Sequence, residues 1–501
     1  MLAIADAPAT SRLRASFAAV LCESLTTFSL PQTTVTEARL VPAGGFTMAG
    51  RSGGTDAFAN LPAFCRVALT LAPTSDSDIK VDVWLPASGW NGKYLAVGNG
   101  GWAGTIAYGA MGNAIGRGYA ASSTDTGHAG GSASFALGHP EKLIDYAYRS
   151  EHLMAVTAKA LVNAFYAKPA VRSYFSGCST GGRQALVEAQ RFPDDFDGII
   201  AGAAANPKTH LDAWRISMTQ AMFRDAESVI PAAKYPAIHN AVLEACDAQD
   251  GARDGLIEHP PACRFDPKVL ECKGADGSNC LTARQVETAR VLMSPVKDPQ
   301  TGAEVFPTYA PGTELDWGYL LEGPDPYVNA LDTFRYVIFQ DPSWNWRTFS
   351  LERDTARANA VAKGMLSAVD PDLTRFAARG GKLLMYHGWS DPSIAPGASI
   401  NFFNSTRKAT GAPAANTEWV RLFMVPGMAH CSGGAGPDTF DSVAALEAWV
   451  EQGRAPASMV ASHRANGRVD RTRPLCPYPQ VARCKGAGSI DEAGNFACVA
   501  P

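Results

Sequence analysis

An α/β architecture, with helices covering both faces of a mostly parallel sheet, is predicted by short apolar runs that end in glycine-rich turns and by a long helical pattern lying between two of them. The runs are residues 79–85, 93–97, 119–123, 173–175 and 198–201, each of the length of a buried strand. Between the third and fourth, residues 141–167 place Leu143, Tyr146, Leu153, Val156, Leu161 and Phe165 roughly along one helical face, and no proline interrupts them. A further observation sets the organisation. After about residue 206 the strand-like runs stop, tryptophan and proline gather, and an Asp/Gly-rich loop extends between Cys246 and Cys280. Strand-like runs return only at 382–386 and 420–425. The chain therefore reads as one sheet domain built from residues 1–205 and 369–501, with a second domain inserted over 206–368.

Composition excludes several classes of function. The 501 residues carry a net charge of only -4 and no lysine- or arginine-rich run, so nucleic acid is not an expected partner. No stretch approaches the roughly 18 consecutive apolar residues of a membrane span. Eleven cysteines are many for a reducing compartment, and their spacing does not repeat the paired CxxC pattern of a zinc site. Disulfides and a secreted or periplasmic location follow as expectations. The first nineteen residues lack the apolar core of a signal peptide, although Ala3, Ala5, Ala7 and Ala9 alternate as small side chains do around a cleavage point.

The most informative segment is Ser176-Gly177-Cys178-Ser179-Thr180-Gly181-Gly182, a G-x-S-x-G motif at the end of a predicted strand and before a predicted helix over 182–192. That context is the nucleophile elbow of the α/β-hydrolase fold: the tight turn forces the serine into strained backbone, and the glycines remove side chains that would collide. Ser179 becomes the candidate nucleophile. The Thr180 N–H, at the helix start, and Gly101 in the turn Gly98-Asn99-Gly100-Gly101-Trp102 are candidate oxyanion donors. The plainer reading is a glycine-rich turn carrying an ordinary serine.

In this fold the partners follow in the order Ser, Asp or Glu, His. The strand at 382–386 runs into His387-Gly388-Trp389-Ser390-Asp391-Pro392, which places Asp391 just past a strand end as the acid that orients the base. An Asp-Pro turn initiator is its alternative reading. His430, in the loop after 420–425, is the candidate base. Cys178 directly precedes the serine and Cys431 directly follows the histidine. A bond between them would hold the two Cα atoms within about 7 Å.

The segments GCSTGGRQ, GWSDPSIAP and MVPGMAHCSGG together resemble the tannase and feruloyl esterase family, which also includes bacterial mono(2-hydroxyethyl) terephthalate hydrolases. The resemblance spans nearly the whole chain. It implies an α/β-hydrolase fold with a large inserted lid domain, a catalytic triad of Ser179, Asp391 and His430, and disulfides joining Cys178 to Cys431, Cys22 to Cys65, Cys246 to Cys263, Cys272 to Cys280 and Cys476 to Cys498, with Cys484 left over. It also implies a structural Ca²⁺ in the lid. Asp247, Asp250 and Asp254, with the carbonyls of Ala252 and Leu256, are the ligand set, and hard oxygen donors of this kind suit calcium. A pair of Asp-Gly turns is the simpler account of that loop. No organic cofactor is implied.

The family hydrolyses esters of aromatic acids, so a small aromatic ester is the expected substrate. Candidates for holding it are Arg335, Phe339, His387 and Ile394. Arg335 lies four residues before Phe339, an arrangement similar to that by which terephthalate-monoester hydrolases grip a free carboxylate, and an ion pair within the lid is its alternative. Ile394 stands where those enzymes carry phenylalanine, which points away from the terephthalate ester and towards a hydroxycinnamic one. Tannase chemistry shares the same steps. From other classes, a ligand-binding protein on an inactive hydrolase scaffold and a peptidase remain as rivals.

Overall fold

Nine strands form one sheet in the spatial order β1-β2-β3-β5-β4-β6-β7-β10-β11. They are β1 (Thr33–Val41), β2 (Phe64–Leu71), β3 (Ile79–Pro86), β4 (Lys93–Val97), β5 (Ala120–Thr124), β6 (Arg172–Cys178), β7 (Gly198–Gly202), β10 (Lys382–Gly388) and β11 (Val420–Val425). Two short strands, β8 (Val296–Lys297) and β9 (Glu304–Phe306), pair separately, as do β12 (Met459–Ala465) with β13 (Arg468–Leu475) and β14 (Val481–Cys484) with β15 (Phe496–Val499). The computed structural model describes residues 22–48, 58–411 and 418–501. The alternating alanines of the first residues lie outside them.

From β5 to β11 every neighbouring pair is parallel, whereas β1, β2 and β3 run antiparallel to their neighbours. The parallel half is covered on both faces, and β5 and β7 are buried at every residue, which is why they read as unbroken apolar or small-residue runs. Strands β1 and β2 escape the sequence reading because β1 is an edge strand whose exposed face carries Thr, Glu and Arg. The hairpin strands from residue 459 onwards are likewise largely exposed or half-buried and polar, so no apolar pattern announces them.

The helix expected over 141–167 is present as one continuous helical run over 140–166 that contains a widened turn. It consists of Pro140–Ile144, a widened turn over Asp145–Arg149 and Ser150–Tyr166. That turn is engaged by Arg183, buried in the helix Thr180–Arg191: its guanidinium donates to the carbonyls of Ala147 at 2.9 Å and Tyr146 at 3.3 Å, and its charge lies 5.0 Å from the Tyr146 ring. Those carbonyls face a side chain rather than continuing a regular helix.

The segment between β7 and β10 holds the helices Lys208–Met222, Tyr235–Cys246, Ala283–Leu292 and Leu351–Ala362. Its apolar side chains form two clusters drawn mostly from the segment itself and closed by residues of the sheet domain. Trp214, Ile238 and Trp317 cluster with Ile394 and Ala398 from the region after β10. Phe334, Trp344 and Trp346 cluster with Trp102 and Tyr146 from the N-terminal half. Five disulfides are present, Cys22–Cys65, Cys178–Cys431, Cys246–Cys263, Cys272–Cys280 and Cys476–Cys498, the pairing the family resemblance implies, and Cys484 is free.

Glu151 gives this interior a pH dependence. It is fully buried, neither carboxyl oxygen has a hydrogen-bond partner, and burial pushes its pKa from 4.5 up to about 8 against the opposing charge of Arg183. The folded protein therefore holds a proton that the unfolded chain releases at lower pH. Stability from this group is complete below the unfolded value and is lost as pH rises through the folded one. Glu151→Gln should flatten the fall in melting temperature between about pH 5 and 8. Parallel melting curves for parent and variant across that range would refute it.

Candidate active site

Ser179 sits at the junction of β6 and the helix Thr180–Arg191 with φ 62° and ψ -122°, a conformation that non-glycine residues rarely adopt. Holding it costs about 1–3 kcal/mol, and the surrounding backbone supplies the restraint. The Ser179 N–H donates to the Gly202 carbonyl at 3.0 Å, while its own carbonyl accepts from Arg183 and Ala205, each at 3.0 Å. The turn closes only because its neighbours lack side chains: a Cβ on Gly177 would lie 2.4 Å from the Gly181 backbone, and one on Gly182 would lie 2.2 Å from the Gly202 oxygen.

Asp391 is fully buried beyond the end of β10 and accepts four hydrogen bonds. Oδ1 takes the backbone N–H groups of Ser393 at 2.8 Å and Ile394 at 2.9 Å. Oδ2 takes His430 Nδ1 at 2.7 Å and His387 Nε2 at 3.1 Å. Burial alone would raise its pKa, but the charge of His430 and the hydrogen bonds from both imidazoles outweigh it and hold the carboxyl well below the usual carboxylate range. Because Nδ1 of His430 faces the carboxylate, that nitrogen carries the proton and Nε2 is left as an acceptor.

The Cys178–Cys431 disulfide, with 5.9 Å between Cα atoms, joins the residue before Ser179 to the residue after His430 across 253 positions. In the chain-entropy model a closure of this length stabilises by about 5 kcal/mol. Ser179, Thr180, Gly101 and His430 all line one cavity of about 490 Å³. Gly101 has φ +56°, and its carbonyl accepts from Tyr146 Oη at 2.7 Å and Thr180 Oγ1 at 2.9 Å, which fixes the loop beside the serine. Among the described residues the N–H groups of Gly101 and Thr180 have no acceptor, so both can bind an anionic oxygen in the cavity.

The side chains expected to hold substrate lie elsewhere, and none of the four lines the cavity. Phe339 stacks on Trp344 at 5.0 Å under the guanidinium of Arg357, because the aromatic run of this segment packs against itself. Arg335 donates to the Trp344 carbonyl at 3.4 Å. His387 is fully buried behind Asp391, with Nε2 also 3.0 Å from the Ile394 carbonyl and Nδ1 2.8 Å from Ser399 Oγ. Ile394 belongs to the apolar cluster around Trp214. The cavity is lined instead by Lys208, Arg215, Tyr319, Tyr327, Asn329 and Ser393. The sequence held one sign of them: Lys208, Asp212 and Arg215 recur on one face of a helix buried along most of its length.

In the proposed calcium loop, Asp247 accepts the N–H groups of Asp254 and Gly255, each at 3.2 Å, Asp250 accepts that of Ala252 at 3.0 Å, and Asp254 accepts that of Leu256 at 3.1 Å. Arg473 pairs with Asp254. The carboxylates share a loop without converging tightly: among the described residues the one trio of acidic, Cys or His ligand atoms within 4.8 Å of one another is Cys272, Asp276 and Cys280, and both of its cysteines are disulfide-bonded.

Comparison with known proteins places this arrangement. The model of the family "Tannase and feruloyl esterase" matches residues 65–499. The chain is 40% identical to an uncharacterized esterase of Xanthomonas campestris pv. campestris over 97% of its own length and 92% of the relative's. It is 34% identical to a probable feruloyl esterase B-2 of Aspergillus terreus over 94% and 93% of the two chains. The crystal structure of feruloyl esterase B from Aspergillus oryzae superimposes with a TM-score of 0.90 at 32% identity, covering 96% of this chain and 100% of that one. With the family model and the relatives spanning nearly the full chain, this protein belongs to the tannase and feruloyl esterase family.

Proposed function

We propose that the protein is a serine carboxylic-ester hydrolase acting on esters of hydroxycinnamic or related aromatic acids, with Ser179 as nucleophile, His430 as base and Asp391 as the group that orients and charges the base. The observation that carries this reading is the His430–Asp391 hydrogen bond at 2.7 Å beside a serine that shares a cavity with the histidine. The named feruloyl esterases among its relatives support the substrate class.

Each step follows from a group already placed. Nε2 of His430 removes the proton from Ser179 Oγ as that oxygen bonds to the ester carbon, and the Gly101 and Thr180 N–H groups take the charge that develops on the carbonyl oxygen. Collapse of the tetrahedral species breaks the bond to the alcohol, which leaves with the proton from Nε2. Water then repeats the sequence on the acyl-serine, and the aromatic acid departs. Asp391, held ionised by its four donors, stabilises the imidazolium in both halves. The five disulfides support the further reading that the protein is exported, and no helix among the described residues is long and apolar enough to cross a membrane.

We propose in addition a structural Ca²⁺ held by Asp247, Asp250 and Asp254 with the Ala252 and Leu256 carbonyls, none of which lines the cavity. The donors are all hard oxygens on one loop closed by Cys246–Cys263.

Ser179→Ala should lower kcat/KM on methyl ferulate by at least about 10³-fold, and Asp391→Asn by on the order of 10⁴-fold, with both proteins folded. Turnover that survives Ser179→Ala rules the mechanism out. Replacing Cys178 and Cys431 together by serine should cost about 2–5 kcal/mol in denaturant unfolding and lower kcat. An unchanged midpoint and rate would mean that the bridge neither stabilises nor positions. For the calcium loop, elemental analysis should find one ion per chain, and chelation should lower the melting temperature; a metal-free protein insensitive to chelator removes the ion from the account.

A further inference from the structure

Three charged side chains of the helix Lys208–Met222 meet at the cavity. Asp212 is fully buried and pairs through Oδ2 with Lys208 Nζ and through Oδ1 with Arg215 Nη1 at 3.0 Å. Thr333 Oγ1 also donates to Oδ2, at 2.6 Å. Lys208 and Arg215 line the cavity; Asp212 stands behind them, and among the described residues no aspartate or glutamate lines it. Two cations thus share one anion, and the wall keeps an unbalanced positive charge.

That charge has little access to water, since Lys208 is 2% and Arg215 4% exposed. Lys208 Nζ lies 4.7 Å from the centroid of the Trp102 ring, and the Arg215 guanidinium lies 4.7 Å from that of Tyr327. Aromatic faces attract cations but do not neutralise them. Burial lowers the Lys208 pKa, and the nearby charges of Arg215 and Arg183 act in the same direction against Asp212. Arg215 is fixed by Ser393, whose carbonyl and hydroxyl accept from Nη2 at 2.8 and 2.9 Å. Of the three Lys208 ammonium protons, one faces Asp212 and one Thr333 Oγ1 at 3.3 Å, which leaves a donor for a further acceptor. An anion in the cavity would complete both the hydrogen bonding and the charge balance of this wall.

We propose that Lys208 and Arg215 form an anion subsite, and that the preferred esters carry a carboxylate on the part lying against this wall. The proposal rests on the esterase reading of the same cavity. The carboxylate can belong to the acid portion of the ester or to its alcohol portion, and the two are separable by substrate.

The test compares kcat/KM for carboxylate and neutral isostere in two pairs: methyl 4-carboxybenzoate against methyl 4-carbamoylbenzoate for the acid side, and O-cinnamoyl lactate against O-cinnamoyl lactamide for the alcohol side. In one pair the carboxylate should be favoured by at least tenfold, mainly through KM. Lys208→Met, which leaves Asp212 balanced by Arg215, should bring that ratio close to one, and Lys208→Arg should restore it. Ratios at or below one in both pairs, or a preference that Lys208→Met leaves intact, overturn the subsite. A second measurement needs no variant: benzoate should inhibit turnover of methyl 4-carbamoylbenzoate more strongly than benzamide, and equal inhibition counts against the proposal. If no ester is turned over, the esterase reading fails by itself, and calorimetric titration with benzoate against benzamide still reads the subsite, with benzoate binding the tighter if it exists.

Discussion

The covalent tie between Cys178 and Cys431 is the constraint on which the rest of this site depends. A parallel sheet delivers the ends of β6, β10 and β11 to one edge, but an edge is several strands wide. β7 and β10 lie between the strand that carries the serine and the strand that precedes the histidine. The disulfide spans that gap at a fixed Cα separation of 5.9 Å and turns neighbouring loops into one rigid element. Ser179 and Cys431 both adopt positive φ, so each side of the tie is a tightly specified turn rather than a slack loop.

Two buried aspartates then divide the electrostatics of the cavity. Asp391 collects two imidazoles and two backbone N–H groups, which hold it ionised against a burial that by itself would raise its pKa. Of the two imidazoles it holds, only that of His430 lines the cavity. Asp212 collects an ammonium, a guanidinium and a hydroxyl, and its single charge is divided between two cations that themselves face the cavity. One carboxylate thereby polarises the reacting histidine, and the other holds a positive wall in place.

Ser179, Asp391 and His430 were legible because each ends a recognisable strand, and the cysteines beside the first and last implied their proximity before any coordinates. Gly101 was legible for the same local reason. Lys208, Arg215, Tyr327 and Asn329 were not, since they come from the inserted segment between β7 and β10, where tertiary packing decides which helix face and which loop meet the cavity. Phe339 was a candidate for holding substrate, yet it stacks with Phe334 and Trp344, and sequence alone does not distinguish aromatics that face a cavity from aromatics that face each other. Strand β1 and the C-terminal hairpins were missed where polar residues fill the strand, and β2 was missed because its buried residues alternate with half-exposed ones and form no continuous apolar run. The widened turn inside the helix over 141–167 was invisible because the side chain that engages its carbonyls, Arg183, lies in another element.

The apolar clusters of the segment between β7 and β10 are completed by Trp102 and Tyr146 on one side and by Ile394 and Ala398 on the other. That segment therefore carries most of its own core and is seamed to the sheet domain on two sides. Grafting it from one relative to another would part each cluster from the few residues that close it and leave that apolar seam without its partners. Selectivity in this architecture can diversify by exchange of single residues along the cavity, at sites such as Lys208, far more readily than by wholesale recombination of the segment.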